Sequence, residues 1–227
     1  MAGPRVLITG FGPFPGVPDN PSAWLAETLA AEKRGLDCEP QAQVLPTEWD
    51  TVAALTPHLY EALQPQIMIH FGLCRSAQGF RIERSAHNRV FAHADIRGAL
   101  PKTRTILPQG PDRFDTDFPT TGLAAHLRAR GLAASHSHSA GRYLCNFLYY
   151  RSLEWASRQE RPTVALFVHI PPVVSHGGPF SEAELLRGAH ETLHFALDFA
   201  GARQNARQVP AGPVHAASEA MLSMKDA

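Results

Sequence analysis

Two short segments, Arg5–Thr9 (RVLIT) and Val164–Ile170 (VALFVHI), are almost continuously apolar and rich in β-branched and aromatic residues. A strand with one wet face alternates polar and apolar side chains. A run without alternation is covered on both faces and belongs to a sheet with helices above and below it. Gln43–Leu45 and Ile67–Phe71 (IMIHF) supply two more strands, and Phe80–Ala86 a weaker one. Between them lie helical patterns. Asn20 and Pro21 suit a cap and first helical position, opening a helix to about Lys33. Others run from about Trp49 to Leu63, Thr121 to Arg130 (closed by Gly131) and Cys145 to Arg158. A last one runs from Ser181 to Phe199, with Ser181 and Glu184 at capping-box spacing. Loops rich in Gly and Pro fall at Gly10–Pro21, Gly98–Pro119 and Pro171–Pro179. The predicted fold is α/β, a single-domain three-layer α/β/α sandwich around a twisted, mainly parallel (mixed) central sheet. Residues 1–202 form the domain, and residues 203–227, rich in Ala, Gln and Pro, a loosely ordered C-terminal tail.

Charge narrows the function. The 227 residues carry 21 Lys and Arg against 21 Asp and Glu, a balance without the basic face of a nucleic-acid binder. The longest stretch free of those four residues, Pro162–Ser181, contains four prolines and two histidines, which no simple membrane-spanning helix would carry. The first residues, MAGPRVLITG, lack the pattern of a signal peptide, so the expected location is the cytoplasm. Three cysteines, Cys38, Cys74 and Cys145, show no CxxC spacing and read as free thiols.

Three motifs invite functional readings that weaken on inspection. His190, Glu191 and His194 form an HExxH, which on a helix sets two imidazoles one turn apart. A third zinc ligand is missing, because position 197 is Leu and the later acid with suitable reach, Glu219, lies in the expected tail. In the loop Gly10–Gly16, Pro15 occupies the third glycine position of a dinucleotide fingerprint, and two prolines remove backbone donors. That leaves two rings, Phe11 and Phe14, between prolines and glycines: either a rigid turn tucked into the core or the apolar wall of a pocket. His136 and His138, on one face of a strand, also lack a third ligand.

Cys145 is different. It precedes an amphipathic helix, and the free N–H groups and dipole of a helix N-terminus favour a thiolate and can hold an oxyanion. His169 ends the strand VALFVH, at the sheet edge where α/β proteins place their chemistry. Glu83 could orient the imidazole, or simply pair with a neighbouring arginine. Spacing alone leaves an inert buried cysteine and a structural histidine as alternatives.

Three separated segments together resemble pyroglutamyl peptidase I (pyrrolidone-carboxylate peptidase), a cysteine peptidase family. They are Thr9–Phe14 with Asn20-Pro21-Ser22, then Glu83-Arg84 with Ala86 and Asn88, and lastly Ser139–Asn146 followed by Phe167–Pro171. The resemblance implies Cys145 as nucleophile, His169 as general base and acid, and Glu83 as the residue that orients it. It implies removal of an N-terminal pyroglutamyl (5-oxoprolyl) residue from peptides through a thioester, with no cofactor and no metal, by a homo-oligomer (tetramer or dimer). The flat lactam would lie between Phe11 and Phe14, with Asn20, Thr47, Leu73, Tyr143 and Leu144 as further pocket residues. Three positions depart from the family pattern. Leu73 stands where several bacterial members carry a lactam-binding glutamine, and Arg81 where the family has a small hydroxyl residue. A family arginine after Asn88 has Arg89, His93 and Arg97 as rival counterparts. These departures leave two alternatives: a cysteine hydrolase of another lactam or amide, and a catalytically silent small-molecule-binding homologue.

Overall fold

A computed structural model describes residues 3–32, 38 and 40–208. In chain order its elements are β1 (Val6–Phe11), α1 (Pro21–Ala31), β2 (Pro40–Leu45), α2 (Trp49–Leu63), β3 (Ile67–Leu73), β4 (Phe80–Glu83) and β5 (Ser85–His87). There follow β6 (Arg113–Asp115), α3 (Thr120–Ala129), β7 (Ala134–Ser137), α4 (Leu144–Ser157), β8 (Val164–Ile170) and α5 (Glu182–Gln208). Six strands form one sheet in the order β2-β1-β3-β8-β4-β7. Its pairings are parallel except β4 with β8.

The expected sandwich is present, and the apolar runs explain it. All side chains of β1 and β8 are buried, one set against each helical layer. Ile8, Ile69, Leu166 and Val168 meet Leu25, Leu29, Leu123, Leu127, Leu185 and Leu193 from α1, α3 and α5. Leu7, Met68, Ala165 and Phe167 meet Val52, Tyr60, Leu148 and Tyr149 from α2 and α4. The α1 and α5 starts follow the sequence reading: Asn20 Oδ1 accepts from the Ser22 N–H at 3.1 Å, and Glu184 N–H donates to Ser181 Oγ at 3.2 Å. No helix among the described residues is long and apolar enough to cross a membrane.

Two elements differ from expectation. The weak strand Phe80–Ala86 breaks at Arg84, where the chain leaves the main sheet. Its second part, β5, pairs with β6 in a separate two-stranded sheet. β6 lay hidden in the Gly98–Pro119 loop because Arg113-Phe114-Asp115 is too short and polar for its alternation to register. α5 runs nine residues beyond Phe199, to Gln208. Contacts hold the extension: Phe118 packs edge-on against Phe199 (centroids 5.3 Å) and Arg203 pairs with Asp117 at 2.5 Å. Residues 203–208 of the expected tail are therefore helical, and 209–227 lie outside the described residues.

Candidate active site

The carboxyl ends of β1, β3 and β8 deliver Phe11, Gly72 with Leu73, and His169 to one edge of the sheet. Cys145 arrives in the first turn of α4, where backbone N–H groups have no intrahelical acceptor. β4 runs the other way, so its first residues reach the same edge: Arg81 is the register partner of His169, and Glu83 of Phe167.

The imidazole is fixed from both sides. His169 Nδ1 lies 2.7 Å from Glu83 Oε1, and its ring packs on Phe167 with centroids 4.8 Å apart. This contact fixes Nδ1–H as the donor and leaves Nε2 for chemistry. Glu83 is fully buried. Burial alone would raise its carboxyl, but the hydrogen bond and charge of His169, the Ser137 hydroxyl and the Arg81 charge outweigh it and hold the group below its ordinary value. Tyr149 Oη donates to the Glu83 carbonyl at 2.9 Å, anchoring the end of β4 to α4.

The Cys145 sulfur lies against Gly72, the β3 residue in register with His169: a β-carbon at Gly72 would sit 3.1 Å from Sγ. Burial pushes the thiol up to about 12, with the Glu83 charge and Cys74 acting in the same direction. Its own backbone N–H and Arg81 act the other way. The backbone N–H at the helix start favours the thiolate, as the sequence suggests, but burial acts against it. Desolvation dominates, and a proton acceptor is needed to activate the sulfur.

All seven expected pocket residues come together. Phe11, Phe14, Asn20, Thr47, Leu73, Tyr143 and Leu144, with Cys145, line one cavity of about 90 Å³. The Phe11–Phe14 loop is a tight turn and a cavity wall: Phe11 is tucked into the core, while Phe14 stays half-buried. Phe14 and Val17 exchange backbone hydrogen bonds at 3.1 and 2.8 Å around Gly16, whose φ of 79° suits glycine. Asn20 donates to the Gly12 carbonyl at 2.9 Å and accepts from Ser22 Oγ at 2.8 Å, and the Thr47 hydroxyl donates to the Pro13 carbonyl. These side chains therefore spend most of their polar capacity on the loop. Tyr143 stands edge-on to Trp49 (centroids 5.1 Å), and its hydroxyl donates to the Ala94 carbonyl at 3.2 Å.

Asn146 received no role from the sequence. Fully buried, it accepts from the His87 N–H at 2.8 Å and donates to the carbonyls of His87 and Arg89 at 2.8 and 3.1 Å. Asp95 continues the theme, accepting from the Trp49 N–H at 3.0 Å and from those of Arg97 and Ala99, each at 2.9 Å. The irregular segment beside the pocket is thus tied to the starts of α4 and α2. A polar residue following a cysteine was the available signal, but its partners are remote in sequence.

The other motifs stay apart. In the HExxH, His190 pairs with Glu32 at 2.6 Å, Glu191 with Arg130 at 2.6 Å, and His194 is exposed. His138 lies beyond the end of β7, its ring 5.4 Å from that of His136. Among the described residues no group of three or more His, Cys, Asp or Glu is placed to hold a metal.

A cysteine and a carboxylate-bound histidine, at the edge of a mainly parallel sheet between helical layers, define the class: a cysteine-type hydrolase on an α/β/α sandwich. The family model for pyroglutamyl peptidase matches residues 4–177. The pyrrolidone-carboxylate peptidase of Pyrococcus furiosus is 33% identical over 168 residues, covering 74% of this chain and 80% of the relative. Human pyroglutamyl-peptidase 1 is 32% identical over 204 residues, 87% of this chain and 93% of the relative. The pyrrolidone carboxyl peptidase structure from Thermococcus litoralis superposes with a TM-score of 0.82 at 25% identity, covering 88% of this chain and 96% of its own. The chain belongs to the pyroglutamyl peptidase family.

Proposed function

We propose that this chain is a cysteine peptidase that removes an N-terminal pyroglutamyl residue from peptides, with Cys145, His169 and Glu83 as its catalytic residues. The observation that carries the proposal is the cavity lined by two phenylalanine rings and Cys145, whose sulfur rests on Gly72, the register partner of a His169 that is bound to Glu83. A blocked N-terminus offers no amine to capture, so recognition rests on a flat, neutral ring, and apolar walls suit it. With the side chains of Asn20 and Thr47 committed to the loop, backbone groups supply the polar contacts to the lactam.

The reaction follows from the placements. His169 Nε2 takes the thiol proton as Sγ attacks the pyroglutamyl carbonyl, and the free N–H groups at the start of α4 hold the oxyanion. His169 then returns the proton to the departing amine, leaving a thioester on Cys145. A water, deprotonated by His169, hydrolyses the thioester and releases 5-oxoproline. Glu83 keeps the ring in the required tautomer and balances the imidazolium. The proposal includes no cofactor or metal, a cytoplasmic location, and a homo-oligomer, which light scattering would test.

The test is hydrolysis of a pyroglutamyl fluorogenic amide by wild type and Cys145→Ala, with EDTA and then iodoacetamide. Turnover that survives EDTA and is lost with iodoacetamide or the substitution is expected. No turnover from a readily alkylated Cys145 would move the assignment to another lactam or amide, a second reading favoured by Leu73 in the pocket wall. In that case Leu73→Gln should improve pyroglutamyl turnover. A thiol no more reactive than free cysteine, without turnover, would leave a binding protein.

A further inference from the structure

Arg81 stands where the family pattern has a small hydroxyl residue, and it is the neighbouring arginine that pairs with Glu83, which puts a cation in direct contact with the His169–Glu83 pair. Because β4 is antiparallel to β8, Arg81 lies beside His169, and Arg81 and Glu83, two apart on one strand, share a face. Arg81 Nε donates at 2.8 Å to Glu83 Oε1, the same oxygen that accepts from His169 Nδ1 at 2.7 Å. Arg81 Nη2 stands 3.5 Å from His169 Nδ1. Two donors thus converge on one buried oxygen, and the guanidinium, its side chain 32% exposed, keeps an outer edge in water. That edge matters: a fully buried cation would carry a large desolvation cost, whereas this one keeps its hydration and still reaches the carboxylate.

We propose that Arg81 is a positioning residue of the active site, holding the Glu83 carboxylate against the imidazole and placing a permanent positive charge beside His169 and Cys145, so that the active protonation state persists to lower pH. The proposal rests on the catalytic roles given above. The groups facing this charge come from every element packed there: Glu83 on β4, His169 on β8, Cys145 and Tyr149 on α4, Ser137 on β7 and Cys74 after β3. Among them Glu83 carries the formal negative charge and sits against Arg81, which leaves the pair near neutral. Without Arg81 the carboxylate would act on the site alone and raise the proton affinity of the sulfur. A fixed cation lowers it.

The test compares Arg81→Gln and Arg81→Lys with wild type in two pH profiles: kcat/KM on a pyroglutamyl amide, and the rate of Cys145 alkylation by iodoacetamide, which needs no substrate. In Arg81→Gln both acid limbs should move to higher pH by about 0.5–1 unit, tempered by the partial exposure of the guanidinium. Its kcat should fall about tenfold with KM little changed. Arg81→Lys keeps the charge but loses the fixed Nε donor. It should restore the limbs while kcat stays reduced. Limbs that stay in place in Arg81→Gln would overturn the charge role, and a rise in KM alone would make Arg81 a substrate contact instead. If wild type turns over no pyroglutamyl amide, the alkylation profile still decides on Arg81, so the two failures remain distinct.

Discussion

Gly72 and Cys145 compete for one volume: a β-carbon on Gly72 would meet the Cys145 sulfur at 3.1 Å and the Phe167 ring at 2.8 Å. The sulfur therefore rests on bare backbone, directly beside the register position of His169. Gly72→Ala should push either the nucleophile or the ring that supports His169. A 10- to 100-fold loss of kcat/KM, with roughly 1–3 kcal/mol of destabilisation, is expected. Kinetics and thermal melts on the same preparation would check it, and unaltered kinetics would mean that the site absorbs the methyl group.

The catalytic residues should be unequal. Cys145→Ala removes the covalent route entirely, and His169→Ala should come close to it. Glu83→Ala should cost less, about 10²–10⁴-fold in kcat, because a histidine without its orienting carboxylate still accepts a proton. Equal losses from all three would show that Glu83 does more than orient the ring.

Asn146 has a structural task one residue from the nucleophile. Its three hydrogen bonds tie the segment after β5 to α4. Asn146→Ala would remove the partners of backbone groups at His87 and Arg89 and leave a hole at a fully buried position, and should destabilise the fold by about 1–3 kcal/mol. KM should rise more than kcat falls, because the pocket wall loosens before the triad does. Urea unfolding together with kinetics distinguishes this from a direct catalytic role.

His70 supplies a pH dependence remote from the chemistry. It is fully buried, with Thr9 Oγ1 2.8 Å from Nδ1 and Ser152 Oγ 2.8 Å from Nε2, and burial lowers it to about 3. The unfolded chain protonates this histidine below about pH 6.5 and the folded chain does not, so stability falls as pH falls through that window. The loss reaches about 2 kcal/mol from neutral pH down to pH 5. Glu83 adds to the trend at lower pH: its folded carboxyl is held down, so its contribution is present above the unfolded value and lost as pH drops through the folded one. Melting temperatures from pH 7 to 5 should decline less steeply in His70→Asn than in wild type.

The central strands were legible because burial on both faces writes itself as an unbroken apolar run, and α2 matched from Trp49 to Leu63 because its pattern is long. The pocket was legible through resemblance: side chains as far apart as Phe11 and Leu144 meet only once the sheet is assembled. What stayed hidden depends on three-dimensional closure. β6 has three residues and a partner across the small sheet. Asn146 and His70 look like ordinary polar residues until their partners are known. Arg81 is another case, since nothing in the string FRIE says that its strand runs against its neighbour.

That reversal has one more consequence, for how the molecule fails. Within the six-stranded sheet, β4 and β8 are the antiparallel pair, joined over three registered positions. Cys145, His169 and the cavity lie on the β8 side of this seam; Glu83 and Arg81 lie beyond it. Segments open locally at less cost than the whole fold, and the short, half-exposed edge strand β7, paired with β4, is where such opening should start. On warming, activity should fade while the melting signal is still flat, in step with hydrogen exchange along β4. The seam would then act as a fuse, disarming the thiol before the protein unfolds.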